Sequence, residues 1–109
     1  MSMQVRCVEG IRSRINSSGT MQKVIDYSLK NGQKQTEIIT NLVPSGKKTK
    51  IATLEMDQFN NIEKITEKVT GEAPKTYLKY PNGKGIQMYV AGRPQCYYPT
   101  ATLERIAQR

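Results

Sequence analysis

The 109-residue sequence predicts an α+β fold, an antiparallel sheet packed against one amphipathic helix and followed by a short C-terminal helix. Three observations predict it. Asn31-Gly32 and Asn82-Gly83 are short-hairpin dipeptides, because a type I′ turn needs positive φ at both central residues. Between Asp57 and Thr70, the residues Phe59, Ile62, Ile65 and Val69 recur at three- and four-residue steps, the spacing of one helical face. No repeat, low-complexity run or linker divides the chain, so residues 1–109 are expected to form one compact domain.

The elements follow in order. Gly10–Gly19 offers an edge strand, with Ile11 and Ile15 expected inward and Arg12 and Arg14 outward. Residues 21–29 come next. Met21, Ile25, Tyr27 and Leu29 alternate against Gln22, Asp26 and Ser28, which favours a strand; Met21, Val24, Ile25 and Leu29 also fit a helix, and that alternative stays open. The Asn31-Gly32 turn then leads into "QKQTEIITNLV", and Pro44-Ser45-Gly46 turns the chain into "KKTKIATLEM", completing a three- or four-strand meander. The packing helix over Asp57–Thr70 has Asp57 as its N-cap and Gly71 where a left-handed C-terminal residue belongs. Thr76–Tyr80 and Gly85–Val90 form a hairpin around Asn82-Gly83, and Thr100 caps a short helix in "TATLERIAQR".

Composition narrows the function. There is no His, which removes the commonest general base and metal ligand, and the two cysteines cannot supply a four-ligand zinc site. Ser45–Thr49 ("SGKKT") resembles the tail of a phosphate-binding loop, but Asn41 stands where the first Gly of that pattern is required. Glu55 and Asp57 are the nearest carboxylate pair, and Asp57 has its capping role instead. The sequence therefore predicts no enzyme, no cofactor and no metal. With Arg6 and Glu9 early in the chain and no apolar run near the ~20 residues that span a bilayer, it reads as a cytoplasmic protein with reduced thiols and no membrane partner. Asn16-Ser17-Ser18 matches a glycosylation sequon that has no use in that compartment.

Charge carries the positive signal. Seventeen Lys and Arg oppose nine Asp and Glu, net +8, with residues 1–50 at +6, 51–72 at −3 and 73–109 at +5. Such an excess attracts polyanions through counterion release. The cations flank turns: Lys30 and Lys34 at one, Lys47, Lys48 and Lys50 after another, and Lys79 and Lys84 around a third. Arg12, Arg14 and Arg93 add to them. Tyr80, at a strand end beside Lys79, is the stacking candidate, while Tyr77 and Tyr89 lie within strands and are expected to pack. Of the adjacent Tyr97 and Tyr98, only one is expected outside. The expected function is a non-enzymatic nucleic-acid-binding domain, DNA or RNA, that contacts the phosphate backbone through basic hairpin tips. The alternative is an inhibitor or adaptor docking on an acidic protein surface, anchored by Tyr80, Met88 and Arg93. The oligomeric state is open, a dimer included. At the level of element order alone, the pattern resembles small winged nucleic-acid-binding domains.

Overall fold

The computed structural model describes residues 6–42, 48–80 and 84–109. Its elements are β1 (Arg6–Ile15), β2 (Met21–Leu29), β3 (Lys34–Leu42), β4 (Lys48–Met56), β5 (Ile62–Val69), β6 (Lys75–Lys79), β7 (Ile86–Val90), β8 (Arg93–Tyr98) and α1 (Leu103–Ala107). Each strand pairs antiparallel with the next, giving one eight-stranded meander. The fold is nearly all β, which overturns the α+β expectation and, with it, the likeness to winged domains.

Turn chemistry explains the meander. Three connections, Asn16–Thr20, Leu29–Gln33 and Asp57–Asn61, share one pattern. The carbonyl of the first residue accepts from the N–H three residues on, and its own N–H donates to the carbonyl four residues on. In each, the fourth residue is left-handed: Gly19 (φ 84°), Gly32 (φ 87°) and Asn60 (φ 66°). This is the three-residue hairpin loop that ends in a bulge, and it replaces the type I′ turn expected at Asn31-Gly32, since Asn31 lacks the positive φ. Positive φ at both central residues occurs instead at Ala91-Gly92 (50° and 82°), between β7 and β8. The turns expected at Pro44-Ser45-Gly46 and Asn82-Gly83 lie outside the described residues, but the strands on either side of each pair antiparallel.

One face of the sheet is covered. Val24, Ile38, Ala52, Leu54, Ile65, Tyr77, Ile86 and Met88 form the core with Leu103, Ile106 and Ala107 of α1. Burying each large aliphatic side chain there contributes about 1.5–3 kcal/mol. The sheet must curl to do so. Helix α1 packs on β5 and β6, yet its Ala107 carbonyl accepts from Arg14 of β1, and the Arg109 carbonyl accepts from Gln22 of β2. Laid flat, β1 and β6 would be ~24 Å apart at ~4.8 Å per strand, more than twice the ~10 Å width of a helix. The cap of α1 is Thr102, whose hydroxyl accepts from the Arg105 N–H at 3.3 Å, rather than Thr100.

The expected packing helix is β5 and the turn before it. Five of residues 62–70 are β-branched, a composition that favours a strand. Ile65, Glu67 and Val69 lie on the covered face, while Phe59 sits in the turn at 74% exposure. Asp57 caps that turn: its carboxylate accepts from the Phe59 and Asn61 N–H groups at 2.8 and 2.9 Å. The first two strands also present the opposite faces from those expected. Ile11 and Ile15 are on the open face, 61% and 64% exposed, whereas Arg12 and Arg14 share the covered side with Val24 and Gln22. Arg12 is held there by an ion pair with Asp26, and Arg14 donates to Gln22 Oε1 at 2.7 Å and to the Ala107 carbonyl.

Candidate nucleic-acid interface

A meander sends successive turns to opposite ends of the sheet, so neighbouring hairpin tips lie about a strand length apart, ~30 Å for nine residues. The three lysine-flanked turns therefore do not converge. Lys30 and Lys34, with Lys79, Tyr80 and Lys84, belong to one end, and Lys48 belongs to the other. Lys47 lies outside the described residues.

A single row of paired residues crosses all eight strands: Arg12, Val24, Ile38, Ala52, Glu67, Lys75, Val90 and Arg93. It divides the charge sharply. On the row or above it, towards the β1–β2 and β5–β6 turns, stand Arg12, Arg14, Lys23, Lys48, Lys50, Lys68, Lys75 and Arg93, joined by Arg109 after α1. These nine cations face two carboxylates, Glu67 and Glu72, for a net +7. Below the row, seven described cations meet seven carboxylates and cancel. Lys47 supplies the remaining charge of the +8 total. Register assembles this cationic end from six of the eight strands, with Arg12, Arg14, Lys48, Lys50, Lys75 and Arg93 on the covered face and Lys23 and Lys68 on the open one.

At the upper end the covered face opens into a cleft of about 490 Å³, whose lining includes Lys50, Lys75, Arg109 and the hydroxyl residues Ser17, Ser18, Thr20 and Thr40. Glu67 is the buried anion at its base, 9% exposed at the side chain, with Lys50 Nζ at 3.7 Å and Arg109 Nη2 at 3.8 Å. The Tyr77 hydroxyl donates to Glu67 Oε1 at 3.2 Å and accepts from Arg109 at 3.1 Å. Burial, reinforced by the Glu67 charge, raises the Tyr77 pKa above its ordinary 10.0. Gln22 donates to Thr40 Oγ1 at 2.7 Å, so the polar floor is knitted across β2 and β3.

Not all nine cations are equally available. Arg12 is paired with Asp26, Arg14 is spent on Gln22 and Ala107, and Lys50 and Arg109 neutralise Glu67. Among the described residues, Lys23, Lys48, Lys68, Lys75 and Arg93 form no ion pair, although the Lys68 ammonium is spent on the Glu72 carbonyl. Lys48 and Arg93 are sequence-predicted members of this set. Lys23, Lys68 and Lys75 were missed, because nothing local marks a mid-strand or strand-end lysine until the register is known.

Aromatic residues gather at the opposite end. Tyr80 and Tyr97 pack as a tilted pair with centroids 5.0 Å apart, and the Tyr97 hydroxyl donates to the Lys84 carbonyl at 3.0 Å. Tyr97 and Tyr98, on the edge strand β8, are both exposed, 46% and 40%, where only one was expected outside. Lys79 and Lys84 line a second cleft of about 450 Å³ with residues 99–104. Lys79 stands near Asp57, whose carboxyl lies below its ordinary 3.8, chiefly because the Asn61 N–H donates to it. Met88, an anchor of the alternative docking surface, is buried in the core at 8% exposure and cannot make outside contacts. Among the described residues no group of three or more His, Cys, Asp or Glu gathers to hold a metal ion.

No family model matches the chain, and neither a curated protein nor a solved structure matches it.

Proposed function

We propose that this protein binds the phosphate backbone of nucleic acid, without catalysis, through the cationic upper end of its sheet. The observation that carries the proposal is the division of charge, +7 on one side of a single hydrogen-bonded row and zero on the other. Lys48, Lys75 and Arg93 stand on one face of that end without ion pairs, an arrangement suited to tracking phosphates, which supply most sequence-independent affinity. From Lys48 on β4 to Arg93 on β8 is four strand spacings across the sheet, ~19 Å. One strand of a duplex, with a phosphate every ~3.4 Å, presents about five or six charges over that length. The exposed tyrosines lie at the neutral end, so the affinity comes from charge rather than from base stacking, and little sequence preference is expected.

The test is fluorescence anisotropy with a labelled oligonucleotide over a salt series. About three neutralised phosphates give a log–log slope near −3 on duplex and nearer −2 on a single strand. Binding that does not respond to salt, or no binding at low salt, would rule the proposal out.

A further inference from the structure

The open face of β1–β4 carries a continuous apolar surface on which no other described element packs. Val8, Ile11, Ile15 and Met21 are 57–64% exposed and Ile51 is 36% exposed. Register makes them neighbours: Ile11 lies beside Ile25, Ile15 beside Met21, and Ile39 beside Ile51. Ile25 and Leu29 are buried yet stand outside the core cluster, so this face already holds a small apolar layer of its own. The exposed part amounts to roughly 500 Å² of side chain, at the upper range of the largest patch on an ordinary monomer.

We infer that this face packs against the same face of a second copy, making a two-layer sandwich across a two-fold axis. Charge selects the occupant. On this face Arg6 is paired with Glu37 at 3.6 Å and Glu55 with Lys64 of β5 at 3.7 Å, which leaves Lys23 as the one charge of β1–β4 there without an ion pair among the described residues. A chain of net +8 can meet itself only over a surface as nearly neutral as this one, whereas an acidic partner or a polyanion would be drawn to the upper end. Area agrees. A stable interface takes about 800 Å² from each partner, and the apolar patch with its polar rim of Thr, Asn and Gln from β3 and β4 reaches that scale. Two such faces stack at ~10 Å with their mean strand directions aligned or crossed. A two-fold axis makes the contact self-complementary and closed.

The experiment is sedimentation equilibrium of the whole chain across the micromolar range, with wild type and with Ile11→Thr/Ile15→Thr. Threonine keeps the β-branched strand preference, and both positions are more than 60% exposed, so the single chain should fold unchanged by circular dichroism. Wild type is expected at twice 12.3 kDa and the variant at 12.3 kDa. Met21→Gln, at the rim of the patch, serves as a second variant and should weaken the association at least tenfold. A wild type that sediments as a single chain throughout, or a folded threonine variant that associates like wild type, overturns the inference.

Discussion

Glu67 offers the sharpest test of how β5 is placed. Its carboxylate lies on the covered face, 9% exposed, between Lys50 at 3.7 Å, Arg109 at 3.8 Å and the Tyr77 hydroxyl at 3.2 Å. Glu67→Gln keeps an oxygen that can accept from Tyr77 but removes the charge. At an effective dielectric near 20, a pair at this distance is worth at most ~4–5 kcal/mol before desolvation is set against it. Losing one member of a fully buried pair costs about 3–5 kcal/mol. Lys50 is 18% exposed and Arg109 55%, so both can recover some solvation. The expected loss is therefore about 2 kcal/mol, and about 3 for Glu67→Leu, which also leaves the Tyr77 hydroxyl without its acceptor. With a urea slope near ~1.5 kcal/mol/M, the Gln variant should move the midpoint down by roughly 1.3 M. Were residues 62–69 helical with Glu67 in solvent, the change would stay within about 0.5 kcal/mol. A midpoint that barely moves, or a Leu variant as stable as wild type, would refute the placement.

Three further outcomes follow from local geometry. Gly85 has φ +75°, and a Cβ there would stand 2.6 Å from the Tyr98 carbonyl and 2.8 Å from Pro99 Cα, so Gly85→Ala should cost several kcal/mol, about 2–4, in urea melts. Ala91 occupies φ +50° at the β7–β8 turn, so Ala91→Gly should raise stability by about 0.5–1 kcal/mol with no change in oligonucleotide binding. The Asp57 carboxyl is depressed below 3.8, so its contribution is complete above that pH and is lost as pH falls through the lower folded value. Asp57→Asn should therefore be less stable than wild type near neutrality, with the gap closing in acid; a gap independent of pH would show that the charge contributes nothing.

Much of the sheet is legible in the residues. Alternation in Met21–Leu29 identifies a strand, and the segments flanking Asn82-Gly83 pair as a hairpin. What escapes is decided by partners far away in sequence. Glu67 interrupts the period-two pattern of β5 because Lys50 and Arg109 reach it from β4 and from beyond α1, so the remaining apolar positions imitate a helix. Arg12 and Arg14 face the covered side because Asp26 and the Ala107 carbonyl hold them there, and the isoleucines of β1 turn outward as a result. A one-residue parity choice exchanges the two faces of a strand. The candidate site is the extreme case. Lys48, Lys75 and Arg93 come within one cationic surface only through four successive registers, which no local pattern encodes.

The most direct measurement compares two triple variants in the same anisotropy assay. Lys48→Gln/Lys75→Gln/Arg93→Gln strips the upper end, and Lys30→Gln/Lys34→Gln/Lys79→Gln strips the lower; each removes three positive charges from the same +8 chain. The account predicts that the upper variant loses affinity by two orders of magnitude or more and about two to three units of salt slope, while the lower variant changes neither by much. Equal losses from both variants, or a larger loss from the lower one, would contradict it.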